Sequence, residues 1–349
     1  MASMSDTGFR IDLYSDTKSR PSPEMLDAMV RARCGDEQQG EDPTVAELNA
    51  KVATLLGKEA ALFLPSGTMA NLVSILVHCE RGDEILAERS SHVLHFETGG
   101  ASALAGAVLT AIDGDRGMFS AEDLARHLRP RRWNSPRSRM IWIEQTTNLG
   151  GGAVWPLGTL QSLWALAQSE GLILHIDGAR LLNAAVAAGV DPKAYGSLCD
   201  TLWLDFTKGL GAPFGAVLAG SSDFIERARR FKHMLGGAMR QAGVMAGACL
   251  YALDHNLSRL AVDHANAGLL HQGLLNLPWL RPLAGPETSI IVAKLDTGLM
   301  PAGRLARSQA EKGIRVSIFG TDTIRMVTHL DISQSDIEET IEAFQGISL

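Results

Sequence analysis

The chain has 349 residues, 46% hydrophobic and 20% charged, with a net charge of −7. That length carries a large core and more than one domain. An acidic balance with a single arginine-rich stretch argues against nucleic acid as a partner. No apolar run approaches the roughly 20 residues of a membrane span, and residues 1–10 lack the apolar stretch of a signal peptide. Cys34, Cys79, Cys199 and Cys249 show neither CxxC nor metal-ligand spacing, so reduced cysteines in a cytoplasmic, metal-free protein are expected.

In chain order, residues 1–10 are polar and read as a loose leader, followed by an extended Ile11–Pro21. Pro21-Ser22-Pro23 opens a helix, because proline is tolerated in a first turn. Gly35–Pro43 is an acidic loop, and Val45, Leu48, Val52, Leu55 and Leu56 then recur at helical spacing. From Ala60 strands and helices alternate. Ala60–Leu64 is a short apolar strand, Pro65-Ser66-Gly67-Thr68 a turn and Met69–His78 a helix. Strands at Glu84–Ala87, Ala107–Ile112, Met140–Glu144 and Leu172–Ile176 follow, with helices from about Ser91, over Ala121–His127 and over Leu157–Glu170. Arg129–Arg139 reads as a basic surface loop with solvated charge. Such alternation predicts a mostly parallel sheet covered by helices on both faces.

The stretch Thr201–Gly215 concentrates the chemistry. A short apolar run ends in Thr207-Lys208-Gly209 and a Gly/Pro-rich loop, which puts Lys208 at the mouth of the sheet. Held there among apolar neighbours, a lysine is kept as the free amine that Schiff-base formation needs. A strand Gly215–Ala219 and helices Asp223–Met234 and Met239–His255 follow. After residue 255 the texture changes to a long helix, strands near Ser289–Lys294 and Ile324–Val327, and a closing helix Ser333–Phe344. We therefore divide the chain into a large domain, residues 1–255 including the N-terminal segment, and a smaller α+β domain, residues 256–349.

Three features recur in a fixed order: an anion cradle (Ser66, Gly67, Thr68), an acid at a strand end (Asp177) and Lys208. Pyridoxal 5′-phosphate needs all three, because its phosphate takes N–H and hydroxyl donors, its pyridine nitrogen a carboxylate and its aldehyde an amine. Singly, each has a plainer explanation as a helix cap, a turn and a loop lysine. Their joint order favours the cofactor.

The segments IDLYSDTKSRPS, GDEQQGEDPTV, GKEAALFLPSGTMANL, HIDGARLLNA, TKGLGAPFGAVLAG, MLGGAMRQAG and IRMVTHLD cover nearly the whole chain. Together they resemble the low-specificity L-threonine aldolases, pyridoxal-phosphate enzymes of the aspartate-aminotransferase-like fold type I. The resemblance implies cleavage of L-threonine, L-allo-threonine or relatives such as phenylserine to glycine and an aldehyde. It implies attachment of the cofactor at Lys208, a pyridinium partner in Asp177, and phosphate contacts from Gly67 and Thr68. It also implies a ring-stacking His92, and an Arg240 that reaches the phosphate across a subunit boundary of a dimer or tetramer. Ser15, Arg180 and Arg325 would bind the substrate carboxylate, the two arginines in bidentate fashion.

Four positions depart from the family pattern: Thr147 stands for a histidine, Gln39 for a tyrosine, Tyr14 for an arginine and His233 for a lysine. All four fall where the substrate's β-substituent is expected, so Thr147 and His233 are candidate substrate contacts. With Thr147 unable to act as a base, His92 and His95, three apart at a helix start and so on one face, are the candidates to take the β-hydroxyl proton. Other pyridoxal-phosphate reactions on the same scaffold, such as β-elimination, transaldol transfer or transamination, and a catalytically silent cofactor-binding protein are the rival readings. Retention of Lys208, Asp177, Arg180 and Arg325 speaks against the silent protein.

Overall fold

The structure is a computed structural model that describes residues 8–347. The first seven residues of the expected loose leader lie outside the described residues. The chain opens on a two-residue strand, β1 (Ile11–Asp12). The alternating section contains β2 (Ala60–Leu64), β3 (Glu84–Glu88), β4 (Val108–Ile112), β5 (Ser138–Glu144), β6 (Ile173–Asp177), β7 (Thr201–Asp205) and β8 (Ala216–Gly220). These seven form one sheet in the order β2-β8-β7-β6-β5-β3-β4. The pairs from β7 through β6, β5 and β3 to β4 are parallel, whereas β8 runs antiparallel to both of its neighbours. Strands β3, β7 and β8 are buried at every residue, as expected of a sheet covered on both faces.

The helix Gly67–His78 starts where expected because Ser66 caps it, its hydroxyl accepting the Met69 N–H at 3.3 Å. The helix anticipated from Ser91 is only one turn, His92–His95, followed by a second short helix, Gly100–Ala103. Gly99, with φ of +69°, breaks the run between them.

The second domain is built on β9 (Leu280–Pro282), β10 (Ile290–Leu295), β11 (Ile314–Arg315), β12 (Ser317–Phe319) and β13 (Thr323–Val327). Four of these form an antiparallel sheet in the order β12-β13-β10-β9, and β11 pairs in parallel with β1. The helices Leu260–Leu274, Ala302–Glu311 and Gln334–Gln345 pack around it. Ile11–Leu13 pack into this domain, whereas the helix Pro23–Arg31 that follows packs on the large one. Ile11 and Leu13 are fully buried in the same apolar cluster as Leu270, Ile314, Ile324 and Phe344. Leu13→Ala should therefore cost about 2–5 kcal/mol, read as a fall in the denaturant midpoint. An unchanged midpoint would place the segment outside the core.

Candidate active site

Strands β2, β5, β6 and β7 all present their C-terminal ends at one edge of the sheet, and a cavity of about 440 Å3 opens there. Its wall includes Ser66, Gly67 and Thr68 from the turn after β2, and Glu144 and Asp177 from the ends of β5 and β6. Asp205 ends β7, Lys208 follows it, and Arg325 enters from β13. The small domain thus closes one side of a site whose floor belongs to the large one.

Ser66 and Thr68 are exposed to this space at the start of a twelve-residue helix, where backbone N–H groups and the helix dipole favour an anion. Gly67 is required there, since a Cβ at this position would stand 2.2 Å from Cη2 of Trp203. Lys208 does not lie among apolar neighbours as expected. Its Nζ pairs with Asp205, three residues earlier, and stands 5.7 Å from the Trp203 ring centroid. Asp205 also accepts the Thr207 N–H and hydroxyl, both at 2.7 Å, so the carboxylate is fixed by the turn that presents the lysine.

Asp177 is 1% exposed and lies directly across the sheet from Glu144. Asn71, on the helix Gly67–His78, donates from Nδ2 to Asp177 at 2.8 Å and to Glu97 at 2.6 Å. Glu97 in turn accepts from His92 Nδ1 at 2.9 Å. Burial and the neighbouring Glu97 raise the Asp177 pKa, against the opposing pull of Asn71, His92 and Lys208. Burial and Asp177 push Glu144 up to about 7, although it accepts the backbone N–H of His92 at 2.5 Å and of Asn148 at 2.6 Å. Burial disfavours the charged form of His92, but its bond to Glu97 and the fields of Asp177, Glu97 and Glu144 outweigh this and raise its pKa.

The two arginines differ. Arg180 is 6% exposed and donates from Nε and Nη2 to both oxygens of Asp16, each at 2.7 Å. Arg180 lines the cavity, but its Nε and Nη2 are taken by Asp16, so it does not form a free arginine pair with Arg325. Arg325 has no ion-pair partner among the described residues. It donates to the side-chain oxygen of Asn148 at 2.6 Å and the carbonyl of Tyr14 at 3.2 Å, and its buried Nε has no partner. Burial and the nearby Arg180 lower its pKa to about 10. Ser15 also lines the cavity, its hydroxyl accepting from Thr17 and donating to Asp16.

The remaining expected residues stand elsewhere. Thr147 is 2% exposed, does not line the cavity, and accepts the Ala153 N–H at 3.1 Å. His95 also lies outside the lining, its Nε2 bonded to the carbonyl of Arg89 at 2.7 Å; a single helical turn does not bring it beside His92 at the cavity. His233 borders a different cavity, near Glu37 and Lys232. Arg240 is at the surface, paired with Asp36 at 2.7 Å. Sequence reasoning missed Asn71, Glu97, Trp203 and Asp205. Only Asp205 carried a signal, as an acid one turn before the lysine.

The beta-eliminating lyase family model matches residues 12–296. The low specificity L-threonine aldolase of Escherichia coli (strain K12) is 39% identical over 335 residues, covering 94% of this chain and 96% of that protein. Low-specificity L-threonine aldolase 1 of Arabidopsis thaliana is 38% identical, covering 97% and 96%. The chain belongs to the beta-eliminating lyase family and, within it, to the low-specificity L-threonine aldolases. Two solved structures share the fold. Leishmania major threonine aldolase has a TM-score of 0.84 at 20% identity, over 96% of this chain and 98% of that one. Sphingomonas wittichii serine palmitoyltransferase has a TM-score of 0.76 at 18% identity, over 96% and 86%. The cofactor is pyridoxal 5′-phosphate, and the residues fit it. They provide an open donor set at a helix start with no room for a side chain at Gly67, a buried acid and a lysine.

The Asp16–Arg180 pair gives a test of the site's framework. Burial opposes ionisation of Asp16, but Arg180, with Lys208 and Arg325 behind it, holds the carboxyl at about 2 against an ordinary 3.8. A lowered carboxyl contributes stability above its ordinary value and loses that contribution as pH falls through its folded value. Asp16→Asn should cost about 3–5 kcal/mol at pH 7 by leaving Arg180 buried without its counter-charge. In thermal melts, the gap to wild type should narrow as pH falls from 3.8 towards about 2.

Proposed function

We infer that this protein is a pyridoxal-phosphate-dependent carbon–carbon lyase. It cleaves L-threonine, L-allo-threonine or related L-β-hydroxy-α-amino acids to glycine and an aldehyde. The observation that carries the reading is Arg325, a buried guanidinium without an acidic partner on the wall it shares with Lys208 and Asp177. Such a charge calls for an anion, and the α-carboxylate of an amino acid supplies one. The cofactor, when bound, supplies the sink for the electron pair released from the Cα–Cβ bond.

In this reading Lys208 is the attachment point, Asp177 holds a proton on the ring nitrogen, and Ser66, Gly67 and Thr68 hold the phosphate. Arg325 fixes the carboxylate, while Ser15 and the Asp16–Arg180 pair keep that wall in place. His92 lines the cavity with Nδ1 engaged by Glu97, which leaves Nε2 to take the β-hydroxyl proton. His95, Thr147 and His233 have no part in this step. Incubation with L-threonine and L-phenylserine should release glycine and the matching aldehyde, and Lys208→Ala should abolish this. His92→Asn should lower kcat by about 10²–10⁴-fold and remove an acidic limb lying above the usual histidine range, whereas His95→Asn should keep the wild-type profile. Wild-type kcat in His92→Asn would exclude it as the base.

The reading extends to a homo-oligomer, dimer or tetramer, with shared sites. Arg240 stands outside the cavity with its side chain 58% exposed, free to serve a neighbour's phosphate after exchanging Asp36. Four free thiols support a cytoplasmic setting. Light scattering should give a dimer or tetramer, and Arg240→Ala should loosen cofactor retention. A fully active monomer would refute the shared site.

A further inference from the structure

One indole stands beneath both ends of the cofactor site. Trp203 lies in the middle of β7, is 2% exposed, and touches both the cavity and the helix Gly67–His78. The benzo edge of its ring lies against Gly67, where a Cβ would approach Cη2 to 2.2 Å and Cζ3 to 2.6 Å. Its Nε1 donates to the side-chain oxygen of Asn71 at 2.6 Å. That leaves the Asn71 amide nitrogen facing Glu97 at 2.6 Å and Asp177 at 2.8 Å.

The chemistry of a primary amide makes this orientation mandatory. It has one acceptor and two N–H donors, and a carboxylate in its ionised form can only accept. With the carbonyl against the indole N–H, every group has a partner. Reversed, the carbonyl would meet two carboxylates and the amino group would meet another donor, all of them buried. Removing the indole N–H leaves the Asn71 carbonyl buried without a donor, and the amide is free to move off the two acids. The same side chain also limits how far the Gly67 backbone can settle towards β7.

We propose that Trp203 is a positioning residue for the cofactor, acting through Asn71 on Asp177 and by direct contact on Gly67. It thereby sets the spacing between the ring-nitrogen acid and the phosphate cradle. This rests on the roles given above to Asp177 and to Ser66–Thr68, but not on the aldolase reaction.

The test is a double-mutant cycle on the holoenzyme with Trp203→Phe, Asn71→Ala and the double variant. It is read as the pyridoxal-phosphate dissociation constant and as the pH dependence of the bound cofactor's visible absorption. Each single variant should bind the cofactor about tenfold more weakly, the scale of one buried hydrogen bond. Both should shift the absorption titration in the same direction. Because the indole N–H acts through Asn71, that share of the loss should vanish in the Asn71→Ala background, so the double variant should lose less than the sum of the two single losses. Wild-type affinity and an unshifted titration in Trp203→Phe, or losses that simply add, would overturn the proposal. If Trp203→Phe does not fold, Asn71→Ala, which keeps the indole packing, carries the test: tenfold weaker binding with a shifted titration supports it, and wild-type values overturn it. Borohydride trapping of Lys208 and Asp177→Ala binding run alongside. Failure of those two controls would refute the assigned cofactor roles themselves, separately from Trp203.

Discussion

The site is governed by negative charge held away from water. Asp177, Glu97 and Glu144 are all at least nine-tenths buried, and the first two share the amide of Asn71. Charges so placed are costly unless they are neutralised or hydrogen-bonded. The surroundings answer in three ways. His92 is pushed towards its cation, Glu144 is pushed towards its neutral acid, and Lys208 stands near enough to draw Asp177 down. A cofactor with a protonatable ring nitrogen satisfies the same need, so this field favours such an occupant.

A second electrostatic balance operates on the opposite wall. There the excess is positive: Arg180 lowers the pKa of Arg325, and Asp16 forms its ion pair with Arg180. The cavity is therefore polarised, with Asp177 and Glu144 on one wall and Arg325, which forms no ion pair among the described residues, on the other. An amino acid with its carboxylate and amine matches that polarity, and charge complementarity of this kind orients a ligand before any chemistry begins.

Much of this was legible in the chain. The βα alternation, Ser66–Thr68, Asp177 and Lys208 each follow from local rules about strand ends, caps and glycine turns, and these rules hold because sheet geometry carries strand ends to one edge. Side chains whose role depends on distant partners were not legible. Asn71 reads as an ordinary polar residue inside a helix, and Trp203 as core of a strand. Their meaning appears only when the helix after β2 packs beside β7. Thr147 and His95 differ for the opposite reason: the family pattern placed the first near the chemistry and its spacing from His92 the second, but the loop after β5 and a helix of one turn direct them away from the cavity lining. In the second domain, the three-residue strands Leu280–Pro282 and Ser317–Phe319 were too short to show a period.

The location of Leu13 has a consequence for how the chain is made. Ile11–Leu13 leave the ribosome long before their partners, Ile314–Arg315 and the Val327 N–H that donates to the Leu13 carbonyl. The small domain cannot close until that later stretch is made, and the N-terminal strand waits for it. The wall that bears Arg325 and the Ser15–Asp16 turn is thus assembled only after β13 is made. A nascent chain would present Ser66–Thr68 and Lys208 well before Arg325 could join them.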